Sequence, residues 1–245
     1  MRDDLLEAQA AIDWVAAQLP AFEERIEKWL SLNIDVRVEE TEPPATHNTI
    51  VVVEKDFLPL AFNVEFGAYI NVIRSSLDIL ATALAYRYGM AKPDKMYFPI
   101  VSATEFAAGG YKGAKFINGL PQSEREVIES LKPYEGGNEA LWALHQLDIM
   151  RKHRRLIDVP VAPLRYSITG FGDLERDFTP VGTGWLRAND KTVIGLLRKG
   201  APRYDVKVTP YVAINEPGLL ERVPIVHALG KFASAAESII GLFDK

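Results

Sequence analysis

Two helix-length stretches constrain this chain most: NVEFGAYINVIRSSLDILATALAY (63–86) and LWALHQLDIMRKHRRLI (141–157). With each residue turned by about 100° along a helix, both are apolar nearly all round. In the first, Asn71, Arg74, Ser75, Asp78 and Thr82 share one narrow sector. In the second, His145, Asp148, Lys152 and Arg155 fall within roughly 80° of one another. A helix that is apolar on almost every side belongs in a core. Charges carried into a core are costly unless they pair. The expectation is two core helices that turn their polar ribbons together, with Arg74 meeting Asp148, and Asp78 meeting His145 or Lys152.

The rest of the chain organises around these two helices. Residues 3–32 repeat apolar side chains at helical steps, and Pro20 either kinks that helix or opens a second one. VEETEPPATHN reads as a loop and NTIVVVEKD (48–56) as a strand. Gly89 is placed to end the 63–88 helix. Residues 90–121, rich in Gly and Pro, read as a long irregular loop. SEREVIESLKPY begins a short helix, with Ser123 as N-cap and Glu126 in the capping-box position, and Asn138 caps the next. LRYSITGF, KTVIGLLRK and YDVKVTPYVAIN read as strands, and about 217–243 as a closing helix. Helices first and strands later predict an α+β fold: a helical bundle with an antiparallel sheet formed mainly by the C-terminal part. One domain over 1–245 is expected, with a helical part to about 157, a strand-rich part over about 160–215, the early strand paired with the late ones, and the last helix docked on the bundle.

Composition narrows the chemistry. The chain has no cysteine, which removes disulfides, thiolate zinc sites and cysteine nucleophiles. Its net charge of −5 gives no general attraction to nucleic acid. No apolar run approaches the roughly 20 residues that span a bilayer, and MRDDLLEAQA lacks a signal-peptide core. A soluble, cytoplasmic protein without a membrane partner is the expectation. The basic run RKHRR (151–155) suits a helix C-terminus, and the Gly-rich GGYKG (109–113) lacks phosphate-loop spacing. No cofactor motif is present, so none is expected.

The two ribbons hold the candidate site. A histidine steadied by an aspartate, beside an arginine, could do acid–base work on a phosphodiester without metal. The candidate catalytic residues are therefore Arg74, Asp78, His145 and Asp148, with Asn71, Lys152 and Arg155 as binding residues. No metal site is expected, because one histidine and two aspartates interleaved with cations form a poor ligand set. The same residues also fit a structural ion-pair network with no catalytic duty.

INVIRSSLDILATALAY, YFPI (97–100) and LWALHQLDIMRKHRRLI together resemble a group of uncharacterised bacterial and phage proteins. These carry N-x-x-R-S-x-L-D and L-H-x-L-D-x-x-x-K-H-R helices flanking an FPI loop. The resemblance covers roughly residues 48–157 and implies no particular activity. A fainter resemblance is to HEPN domains, helical bundles that often act as dimeric, metal-independent ribonucleases; it implies a homodimer and an RNA partner. Their Arg-then-His signature begins here at Arg74 and Ser75, but no histidine lies between Tyr69 and Leu84. Three functions follow as expectations. The favoured one is a non-catalytic protein with a structural Arg/Asp/His network and a binding or assembly role. The others are a HEPN-like protein that cuts or binds RNA, and a small-molecule (anion) binding protein using a cavity under the 90–121 loop.

Overall fold

The structure, a computed structural model, describes residues 1–111, 113–170, 172–181, 187–188 and 191–245. Lys112 of the GGYKG loop and Phe171 at the end of LRYSITGF lie outside the described residues.

The chain begins with α1 (Leu6–Asn33), which continues through Pro20 as one helix. Strands β1 (Ile34–Glu39) and β2 (His47–Glu54) follow, then α2 (Leu60–Arg87). Gly89, at φ +62, ends the second helix as its position in the sequence implied. Three short helices come next: α3 (Ala103–Ala108), α4 (Ala114–Gly119) and α5 (Gln122–Ser130). Helix α6 spans Glu139–His153. The later chain runs through β3 (Val161–Thr169), α7 (Leu174–Asp177), β4 (Phe178–Pro180), β5 (Arg187–Ala188), β6 (Lys191–Arg198), β7 (Asp205–Glu216) and β8 (Leu220–Pro224). Helix α8 (Ile225–Gly241) closes it. The fold is α+β with antiparallel sheets.

Contacts divide the chain into two compact units: 1–23 with 60–159 and 214–245, and 24–59 with 160–213. In the second unit, β2 pairs antiparallel with β1 on one side and β6 on the other, so the early strand does join a late one. Ile50, Val52, Ile194 and Leu197 pack with Tyr204 to form its core. Strands β3 and β7 pair antiparallel in a separate sheet. Asp177, fully buried, accepts from Arg176, Arg198 and the Tyr204 hydroxyl; the Arg176 bond, then the other two, hold its carboxyl well below the usual carboxylate range.

The first unit is helical. Helices α2, α6 and α8 pack on one another. Phe66, Ile70, Ile73, Leu77, Leu80 and Leu84 line the buried side of α2, and Leu144 and Leu147 of α6 and Leu229 and Ile240 of α8 are buried as well. Each such side chain removed from water contributes about 1.5–3 kcal/mol, which is why the two apolar rods are central here.

Four boundaries differ from the sequence reading. Residues 34–39, whose end lay in the expected loop, form β1, because Val36 and Val38 alternate with polar residues across from β2. Residues 220–224 form β8 and the closing helix starts only at Ile225, so Leu220 and Val223 are not on its apolar face. The 90–121 stretch contains α3 and α4; Ser102 and Glu105 make a complete capping box for α3. Ser123 lies inside α5, whose N-cap is Pro121, so the expected capping box with Glu126 does not form.

Candidate functional site

The two ribbons do meet, within the helical unit. Arg74, 5% exposed, sits at the centre of the contact. Its Nη1 donates to Asp78 Oδ1 at 2.8 Å, its Nε to His145 Nδ1 at 3.3 Å, and its Nη2 to the Phe98 carbonyl at 3.1 Å. The same Asp78 oxygen accepts from the Phe98 N–H at 2.9 Å. One ion pair on α2 therefore takes both backbone groups of Phe98, the residue at the heart of YFPI.

A second knot lies about one turn away. Asp148, 4% exposed, accepts from Asn71 Nδ2 at 3.1 Å and from Lys152 Nζ at 2.6 Å. Arg151 Nε stands 3.9 Å from Oδ1, the oxygen that accepts from Asn71. Lys152 reaches this carboxylate with its stem along α6 and its side chain 37% exposed.

The crossed pairing expected from the sequence is not the one adopted. Arg74 pairs with Asp78, four residues on along its own helix, rather than with Asp148. Asp148 pairs with Lys152, again four residues on. Side chains at that spacing already lie face to face, so each helix largely satisfies its own charges. Only the neutral groups, His145 and Asn71, cross between helices. Arg155 leaves the cluster altogether. Helix α6 ends at His153, and Arg155 forks onto Glu216, 2% exposed, at 2.9 and 2.6 Å, while the Asp158 N–H donates to the same carboxylate at 2.8 Å.

The electrostatics decide what His145 can do. Burial, followed by the neighbouring Arg74 guanidinium, pushes its imidazole down to about 4; the Asp148 charge opposes this and Lys152 reinforces it. At neutral pH the ring is therefore uncharged. Because Nδ1 accepts from Arg74, the remaining ring proton sits on Nε2. The ring has no free lone pair with which to take a proton from a substrate hydroxyl, so a general-base role requires Arg74 to let go first.

No family model, curated protein or solved structure matches the chain.

A cavity of about 620 Å³ opens beside the cluster and reaches it at Ser75 and Asp78. Asp3, Asp4, Glu7 and Asp94 join Asp78 in its wall, and Arg87 is the one basic residue there. Arg87 is itself forked onto Asp4 at 2.7 and 2.9 Å. Such a mouth repels a polyanion. Among the described residues no helix is long and apolar enough to cross a membrane, and no group of three or more His, Asp or Glu side chains is arranged to hold a metal ion.

What sequence reasoning missed is the partner of the Arg74–Asp78 pair. Phe98 contributes only its backbone, and a backbone group leaves no trace in a side-chain pattern. Glu216 was missed for a different reason: it ends a strand far along the chain and reads as an ordinary surface acid until the fold buries it.

Proposed function

We propose that this is a non-catalytic binding protein in which Arg74, Asp78 and His145 form a clasp. The clasp holds the chain at Phe98 and so fixes the surface that residues 90–121 present. The observation that carries this reading is the double hold on Phe98, its carbonyl by Arg74 and its N–H by Asp78. His145 braces the guanidinium from the opposite helix. A buried arginine with all three guanidinium nitrogens engaged in this way is spent on positioning. Next to it, Gly113 lies where a Cβ would come within 2.8 Å of the Pro99 backbone, so Gly113 packs directly on the clasped segment. The neutral His145, whose Nδ1 accepts from Arg74, and the acidic mouth at Asp78 favour this role over cleavage of RNA.

The test is an Arg74→Met variant. The expected result is faster proteolytic nicking between residues 90 and 121, with the helical content retained and no ribonuclease activity in either protein. Metal-free cleavage of an RNA panel by the wild type, lost in both Arg74→Met and His145→Gln, would replace this reading with the HEPN-like one.

A further inference from the structure

We infer that the cavity lined by Lys92, Lys95, Met96, Tyr97, Tyr111 and Lys115 is a binding site for a phosphorylated nucleoside. The inference rests on the binding role argued above and supplies its ligand class. The cavity measures about 940 Å³, within the range of ligand sites. Lys92, Lys95 and Lys115 line it together with Tyr97, Tyr111 and Met96, and among the described residues no carboxylate does. In a chain of net charge −5, three cations around one hollow without an acid run against the overall balance. All three lysines are exposed, and none is ion-paired among the described residues. They match the charge of a di- or triphosphate, while the two phenols and the thioether supply the aromatic and apolar surface that a base requires.

The backbone adds an independent observation. Lys92 sits at φ +58, immediately before Pro93. A residue with a Cβ seldom adopts that conformation, and a following proline disfavours helical geometry further. Strain of this kind collects where a side chain must be aimed. Here it starts the turn over Pro93–Lys95 that brings Lys95 to the same hollow. The opposite wall is set by Tyr111, stacked on Phe106 with ring centres 5.5 Å apart, and by Gly113 packed on Pro99.

Calorimetric titration of the full chain in EDTA tests this with ATP, ADP, adenosine, tripolyphosphate and hexa-adenylate RNA. ATP and ADP are expected to bind, with adenosine and tripolyphosphate each at least tenfold weaker than ATP. A Lys95→Ala/Lys115→Ala double variant is expected to lose at least tenfold in ATP affinity with an unchanged melting temperature, since both side chains are exposed. Hexa-adenylate binding tenfold tighter than ATP, and equally sensitive to the double variant, supports the same site with RNA as the source of the nucleotide. No binding of any nucleotide overturns the inference, as does tripolyphosphate matching ATP or a double variant that binds as the wild type does. The clasp is judged separately by proteolysis of Arg74→Met, so either idea can fail while the other stands.

Discussion

Protonating His145 should cost stability, and the amount follows from its surroundings. In the folded chain the imidazole is held down to about 4, against an ordinary value near 6.5. The unfolded chain therefore takes up this proton at higher pH than the folded one. The stabilising contribution is complete above pH 6.5 and is lost as pH falls toward 4. Every tenfold difference in proton affinity between the two states is worth about 1.36 kcal/mol, so the whole loss is about 3 kcal/mol. The cause is concrete: a protonated ring can no longer accept from Arg74 Nε, and two cations would then share a poorly hydrated contact. Other groups titrate in the same window, so the informative quantity is a difference. Urea unfolding of the wild type and of His145→Gln, at half-unit steps from pH 7.5 to 4, isolates it. The glutamine retains an acceptor for Arg74 but no titration. The wild type should lose about 3 kcal/mol more than the variant across that window. Parallel curves, or a wild type gaining stability on acidification, would refute the claim that the half-buried histidine is neutral.

Further expectations follow from the same contacts. Asp148→Ala strands Asn71 and Lys152 and leaves a hole between α2 and α6; it should cost about 2–4 kcal/mol by chemical denaturation, whereas Asp148→Asn should cost clearly less. Arg155→Ala leaves the buried Glu216 carboxylate with only the Asp158 N–H; after allowance for the exposed arginine this is about 1–2 kcal/mol, partly recovered in the Arg155→Ala/Glu216→Gln double variant. Gly113→Ala presses a methyl against the Pro99 backbone and should lower the melting temperature and speed proteolysis near Gly113, while an alanine at Gly110, where a Cβ meets nothing, should leave both unchanged.

The helical unit was legible because its two central helices announce themselves. Leu77, Leu80 and Leu84 with their neighbours can only face a core, and the ribbon Asn71–Arg74–Asp78 stands out against them. That the ribbons meet followed from the cost of burying charge. Which atoms pair did not, because same-helix partners at Asp78 and Lys152 compete with cross-helix ones on nearly equal terms. Arg155 misled because its wheel position assumes a helix that stops at His153 once Glu216 captures the guanidinium. Strand β8 was read as helix for a similar reason: LERVP carries no strong pattern of its own and takes its shape from pairing with the end of β7. The lysine-lined cavity was the least visible, since Lys92, Lys95 and Lys115 are scattered over 24 residues and only the turn at Pro93 and helix α4 bring them to one hollow.

Amide hydrogen exchange at Phe98 tests the clasp most directly, because that N–H is bonded to Asp78 and to no backbone carbonyl. In the wild type it should exchange slowly, and in Arg74→Met, with Asp78 released from its partner, at least tenfold faster, while amides in the middle of α2 stay protected. Equal Phe98 protection in the two proteins, or rapid exchange already in the wild type, would contradict the account.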